Sequence, residues 1–231
     1  MDYVLSDPHG EYELFRALLD AIDFGDGDKL IVVGDVLDKG GESVRLLHYV
    51  LSHPNILLVL GNHEYDFLKY CHGVMARQED GFDQDAALKE IRAYFGKEGA
   101  SLEWSDVERL EACPLYYETD DYLCVHAGVR LRADGTMIHP KDTEEEYLVY
   151  DRNFKRPDLH VRGEKCVLFG HTPTRYLTGR DEMIFYPRDG VVAPRSIRDY
   201  ARIHLDCGSY LGKTLGCLCV DNCRAYYASL Y

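Results

Sequence analysis

Residues 30–40 read LIVVGDVLDKG, an apolar run that breaks at glycine into a cluster of charged residues. Leu30–Val33 is a short apolar run rich in β-branched residues and closed by glycine, the signature of a β-strand. Two carboxylates, Asp35 and Asp38, follow at once, with Lys39 and Gly40 behind them. In open α/β sheets, functional groups gather at the carboxyl ends of strands, where the loops converge on one crevice. Working outward, Tyr3–Leu5 is a strand, and Leu14, Ala17, Leu18, Ala21 and Ile22 recur at helical spacing after it. Val44–Leu51 reads as a second helix and Ile56–Leu60 as a third strand. This alternation implies right-handed parallel crossovers with helices covering the sheet.

Beyond Glu64 the pattern changes. The stretch to about Ala112 carries no strand signal, and it holds helical segments around Ala86–Phe95 and Ser105–Leu110. Ser105 and Glu108 are spaced as a capping box. It is expected to form a helical insertion at about 64–112 lying over a cleft. In the second half, Leu115–Tyr117 and Tyr122–Val125 flank Asp120-Asp121 as a hairpin. Cys166–Phe169, Ala201–Leu205, Leu215–Val220 and Arg224–Ala228 are further strands. The expected architecture is α/β, an α/β/β/α sandwich of two mixed sheets flanked by helices, in one domain spanning 1–231.

Composition narrows the function. The chain has 231 residues, 46% of them hydrophobic, enough for a sizeable core. Its net charge of −14 disfavours nucleic acid as a partner. The start, MDYVLSDPHG, has neither the basic nor the apolar segment of a secretory leader, and runs such as Ile56–Leu60 are too short to span a bilayer. A cytoplasmic setting without membrane contact is therefore expected. The eight cysteines then read as reduced thiols. The C-x-C-x3-C spacing of Cys217, Cys219 and Cys223 lacks a second ligand pair and reads as structural. Acidic residues 142–146 read as an exposed helix start.

Five polar clusters each follow an apolar strand: Asp7-Pro8-His9-Gly10, Gly34-Asp35 through Gly40, Gly61-Asn62-His63-Glu64, His126-Ala127-Gly128 and Gly170-His171-Thr172. Asp, His and Asn offer the oxygen and nitrogen ligands preferred by Mn²⁺, Fe and Zn²⁺. One carboxylate can bridge two metals, and Asp35 stands between the other ligands in chain order. Two metals clamp the attacking and leaving oxygens of an in-line displacement and make water a nucleophile near neutral pH. The remaining histidines lack such neighbours. His48, His53, His72, His139 and His160 read as surface residues, and His204 as a sheet residue with its polar groups satisfied.

The series D-x-H-G, G-D-x-x-D-[RK]-G, G-N-H-E, H-A-G and G-H-T resembles the calcineurin-like metallophosphoesterases, and within them the phosphoprotein phosphatase branch with its diadenosine tetraphosphatase relatives. The resemblance covers about Met1 to Gly208, with the motifs in the family's order. It implies that Asp7, His9 and Asp35 hold one metal. Asp35, Asn62, His126 and His171 would hold the other, with the side served by His171 left open. It makes His63 the general acid and Asp38 the carboxylate that orients it, a pairing that physics favours because a carboxylate stabilises imidazolium. Lys39 and Arg152 are the candidate phosphate-binding cations. Lys39 stands where the family usually has arginine, and so supplies charge without a bidentate fork. Tyr150 replaces a tryptophan beside Arg152, and His204 to Gly208 resembles the late I-D-x-G strand end.

The expected cofactors are two divalent metal ions, Mn²⁺ first, with Fe or Zn²⁺ as alternatives. The expected reaction is hydrolysis of phosphate monoesters by metal-bound hydroxide, with serine/threonine phosphoproteins as first substrate. Dinucleoside polyphosphates such as diadenosine tetraphosphate are the alternative. A non-catalytic phosphate-ester-binding scaffold is disfavoured because the ligand set and His63 are complete. Composition and motifs leave the oligomeric state undetermined.

Overall fold

The structure is a computed structural model that describes residues 1–77, 81 and 83–230. The strands are β1 (Asp2–Leu5), β2 (Lys29–Val33), β3 (Ile56–Val59), β4 (Tyr116–Glu118), β5 (Tyr122–Val125), β6 (Cys166–Phe169), β7 (Ile184–Pro187), β8 (Tyr200–His204), β9 (Thr214–Cys219) and β10 (Arg224–Ser229). Helices α1 (Tyr12–Ala21) and α2 (Ser43–Ser52) connect β1 to β2 and β2 to β3. Helices α3 (Asn62–Ala76), α4 (Gln84–Tyr94) and α5 (Trp104–Glu111) lie between β3 and β4. Three short helices follow, α6 (Glu145–Tyr150), α7 (Arg175–Thr178) and α8 (Ser209–Gly212).

Two five-stranded sheets form, in the orders β10-β9-β1-β2-β3 and β4-β5-β6-β8-β7. β1, β2 and β3 are parallel, as are β5, β6 and β8, and antiparallel strands complete each sheet. The period-two alternation of strands divides the core. Val4, Ile31, Val33 and Val59 point inward to meet Cys124, Leu168 and Ile203 of the second sheet. Tyr3, Leu5, Leu30 and Val32 face the other way, onto Leu14 and Leu18 of α1 and Leu46 and Leu47 of α2. A third cluster backs the second sheet with Leu148 and Phe154. The result is the expected four-layer α/β/β/α sandwich.

Several local expectations change. β3 ends at Val59, because the Leu60 N–H donates to Pro114 O at 2.9 Å. The expected box of Ser105 with Glu108 is replaced by one two residues earlier. α5 begins at Trp104, and the Asp106 carboxylate accepts from Glu103 N–H at 2.7 Å. Asp106 also takes a 2.8 Å bond from His48, which is therefore tied between two helices. α3 starts at Asn62, so the Asn62-His63 pair sits on the first turn of a fifteen-residue helix. β7 is an additional strand, a half-exposed antiparallel edge closed by Pro187, where the sequence signal is weakest. The parts of the expected 64–112 insertion at 78–80 and 82 lie outside the described residues. The cysteines are free, with Cys217 and Cys219 buried in β9.

Candidate active site

The five polar clusters lie at the carboxyl ends of β1, β2, β3, β5 and β6. The first two loops are zipped together by backbone bonds from Asp7 N–H to Gly34 O (3.1 Å), His9 to Asp35 (2.8 Å) and Gly10 to Val36 (2.8 Å). Asp7, His9, Asp35, Asp38, Lys39 and His171 all have positive φ, between 44° and 72°. For residues with a Cβ this left-handed conformation costs of order 1–3 kcal/mol each, and it persists where surrounding structure enforces it. Two glycines provide the close approach: a Cβ on Gly61 would collide with Asp35 Oδ1, and one on Gly170 with Asp7 Oδ2.

The buried Asp35 carboxylate is divided between two groups of side chains. Its Oδ2 lies 3.5 Å from His9 Nε2 and 3.9 Å from His63 Nε2. Its Oδ1 lies 3.3 Å from His126 Nε2. On that second side Asn62 Oδ1 is 3.1 Å from His126 Nε2 and 2.8 Å from His171 Nδ1, and the two imidazole nitrogens are 3.2 Å apart. The His171 ring therefore lies with Asn62 and His126, the group on the Oδ1 side of Asp35. Asp7 borders the first group, 4.0 Å from His9 Nε2, and accepts the His171 backbone N–H at 3.1 Å.

Hydrogen bonds fix which ring atoms face inward. His9 Nδ1 donates to Leu37 O at 3.1 Å and His126 Nδ1 to Val33 O at 3.0 Å, leaving each Nε2 as an acceptor. Burial holds His9 well below its ordinary pKa, and the charge of Lys39 adds to this. Burial likewise lowers His171, to about 2. Asp35 moves the other way, well above the usual carboxylate range, through burial and then the charges of Asp7 and Glu64. Neutral imidazoles with inward lone pairs, an amide oxygen and crowded carboxylates all call for positive charge. The donor set fits a pair of divalent cations sharing Asp35, with His9 and His126 oriented by backbone carbonyls as metal ligands usually are.

His63 and Asp38 form a separate pair. His63 Nδ1 is 2.7 Å from Asp38 Oδ2. Burial opposes protonation of His63, but the Asp38 hydrogen bond and the Asp35 charge outweigh it, and its pKa is raised. The ring stands edge-on to His9 at 5.0 Å, at the mouth of the site. The Lys39 ammonium is 2.9 Å from His9 Nε2 and 4.4 Å above the Tyr210 ring. Arg152 is exposed, with its charge felt at His171.

Three contributors lacked an assigned role in the sequence reading. Glu64, fully buried, accepts from the N–H groups of Asp35 (2.7 Å), Leu37 (2.9 Å) and Gly61 (2.9 Å), so one carboxylate locks two of the loops together. Removing it would leave three buried donors unpaired, at about 1–3 kcal/mol apiece. Asp206, beyond β8, is buried with its pKa raised by desolvation and the charge of Asp7. Tyr210 packs edge-on against His9 at 5.1 Å. The signals were the glutamate closing G-N-H-E and the late L-D-x-G segment. Neighbouring His204 departs from the expected satisfied sheet residue: among the described residues neither ring nitrogen meets a partner at hydrogen-bond geometry, and the ring is held by stacking on Phe169 at 4.5 Å, with burial lowering its pKa to about 3.

This fold and donor set match a known family. The sequence profile of the calcineurin-like phosphoesterases covers residues 3–199, and the chain belongs to that family. A curated relative, the symmetrical bis(5'-nucleosyl)-tetraphosphatase of Chromobacterium violaceum, is 33% identical over 176 residues, 75% of this chain and 57% of that protein. The asymmetrical bis(5'-nucleosyl)-tetraphosphatase PrpE of Halalkalibacterium halodurans is 26% identical over 196 residues, 74% of this chain and 78% of that protein. The chain thus spans little more than half of the first relative. Among solved structures, one provisionally named a diadenosine tetraphosphatase superposes with a TM-score of 0.70 at 18% identity, covering 100% of this chain and 93% of that one. A serine/threonine phosphatase of Saccharomyces cerevisiae gives 0.56 at 14% identity, covering 100% and 80%. At such identities the structures speak for the fold alone. The family implies a centre of two divalent metals.

Proposed function

We propose that this chain hydrolyses dinucleoside polyphosphates such as diadenosine tetraphosphate at a two-metal site. The observation that carries the reading is the division of Asp35 between two donor groups, one oxygen to each. Relatives named as bis(5'-nucleosyl)-tetraphosphatases support the substrate class and favour it over the phosphoprotein reading expected from the sequence. The net negative charge, which disfavours large polyanions, bears less on a small anion that would meet two bound cations together with Lys39 and Arg152.

Asp7, His9 and Asp35 would hold one cation, and Asp35, Asn62, His126 and His171 the other, with Mn²⁺ the first choice for this ligand set. Bound there, such a pair supplies a nucleophilic water and neutralises charge on the phosphoryl group. The chain's own residues do the rest. His63, kept protonated by Asp38, would donate its Nε2 proton to the departing oxygen. Lys39 on the His9 flank and Arg152 on the His171 flank would hold the phosphoryl oxygens.

The test is a side-by-side measurement of kcat/KM for diadenosine tetraphosphate and a phosphoserine peptide, in protein loaded with each metal in turn. Higher efficiency on the dinucleotide is expected, and higher efficiency on the peptide overturns the reading. The His63→Asn variant should lose ~10²–10⁴ in turnover while the metal content stays at the wild-type level.

A further inference from the structure

Arg202, on β8, is 1% exposed. A buried guanidinium is unfavourable unless its donors are satisfied, and here they are spent on main chain. It donates to Phe154 O, to Arg156 O at 2.7 Å and to Leu159 O at 3.3 Å. From β7, the Tyr186 hydroxyl donates to Lys155 O at 3.4 Å, and its ring lies 4.0 Å beneath the Arg202 guanidinium. The carbonyls of three consecutive residues, 154 to 156, are therefore pinned. Phe154 is buried edge-on against Phe169.

This clamp fixes the loop that carries Arg152 and Lys155. The Lys155 ammonium is 3.5 Å from Thr172 Oγ1, directly after His171 in the chain, and its charge reaches the His171 ring together with those of Arg152 and Lys39. Asp151, the nearest acidic neighbour in sequence, accepts from Asn153 and Phe154 N–H groups at 3.1 and 2.8 Å and so serves the turn. Burial and the Arg152 charge both disfavour the Lys155 ammonium, and the Asp151 charge offsets part of this. Two like charges held together by a buried, structurally committed arginine form a site that gains most from an anion.

We propose that Lys155, clamped through Arg202 and Tyr186 at the His171 end of the site, is a specificity-determining cation that binds the phosphate chain beyond the phosphoryl group under attack. It deepens the dinucleotide reading and rests on it for the identity of the natural substrate. A monoester phosphoryl group is already served by Lys39 and Arg152. An oligophosphate brings additional charges that extend past it, and Lys155, 3.5 Å from Thr172 Oγ1, offers them a cation beside His171.

The test uses inorganic tripolyphosphate and orthophosphate as competitive inhibitors of p-nitrophenyl phosphate hydrolysis by the metal-loaded protein, at fixed free metal concentration. In the wild type tripolyphosphate should inhibit more tightly than orthophosphate. Lys155→Ala should raise the inhibition constant for tripolyphosphate about tenfold more than that for orthophosphate. Lys155→Arg should restore the ratio. Equal effects of Lys155→Ala on both anions, or no effect on either, overturn the proposal, as does a wild type without preference for tripolyphosphate. Preference for the phosphopeptide over the dinucleotide would remove the natural-substrate reading while leaving this ratio to decide the role of Lys155.

Discussion

On one side of Asp35, Asn62, His126 and His171 bring polar side-chain atoms to between 2.8 and 3.2 Å of one another, with His126 3.3 Å from Asp35 Oδ1, and the two rings are buried. On the other side, His9 is joined by the half-exposed His63–Asp38 pair, the Lys39 ammonium and the Tyr210 ring. The first side is made almost wholly of acceptors held by carbonyls and helix α3, an arrangement that suits a cation and little else. The second mixes acceptors with groups that carry or move protons, and it opens to solvent. The two halves are thus chemically unlike even though a single carboxylate lies between them. On the proposed mechanism, one would hold a cation tightly and the other would support the bond being broken.

The largest effect should come from breaking the link itself. Asp35→Asn keeps the shape of the side chain but removes the charge and one acceptor oxygen facing the two groups. Turnover on any phosphate ester should fall by more than about 10³-fold, since even outer-shell changes at metal sites cost 10–100-fold. Metal content measured on the purified variant should fall with it. Wild-type metal content together with wild-type turnover would show that Asp35 does not join the two sides.

A smaller effect, confined to the open side, is expected from Asp38→Asn. The carboxylate raises the His63 pKa, so the protonated form needed by a general acid persists to higher pH and is lost as the pH rises through that value. An amide cannot stabilise imidazolium in this way. The alkaline limb of the kcat profile should therefore move to lower pH, with kcat at the plateau reduced about 10-fold or more. Metal content should be unaffected. An unmoved alkaline limb would mean that His63 is not the titrating acid.

Much of this comparison was legible in the residues. Strand ends could be read because apolar runs such as Leu30–Val33 and Cys166–Phe169 stop abruptly at glycine, and the four-layer order followed from where the helices drop out. The local geometry was not legible. Sequence does not say that Asp35 and His171 sit at positive φ, or that Glu64 spends its carboxylate on three backbone amides instead of the reaction. Both depend on loops distant in sequence closing on one another. Helix α3 was readable in principle, since Phe67, Leu68, Cys71 and Val74 fall on one buried face, but the polar motif at its start masked it. Arg202 looked like an ordinary strand residue, and only the packing of β8 under residues 154–159 reveals its work.

The finest cut through the comparison tests whether the helices between β3 and β4 reach the open side. Tyr94, at the end of α4, donates its hydroxyl to Asp38 Oδ2 at 3.2 Å, the same oxygen that lies 2.7 Å from His63 Nδ1. Burial and the Asp38 charge push the tyrosine pKa up to about 12, so it remains a donor across any ordinary assay range. Sharing that oxygen draws electron density away from the histidine and holds the carboxylate in one rotamer. Tyr94→Phe should then do two separable things. Loss of the restraint should lower kcat by about threefold, the scale of one neutral-donor hydrogen bond at a half-exposed site. Loss of the competing donor should leave Asp38 a stronger partner for imidazolium, moving the alkaline limb slightly upward, opposite in sign to Asp38→Asn. The two variants compared on one pH axis, with a poor leaving group so that proton donation limits the rate, give the reading. Shifts in the same direction, or none for Tyr94→Phe, would confine α4 to packing and leave the proton-handling side to His63 and Asp38 alone.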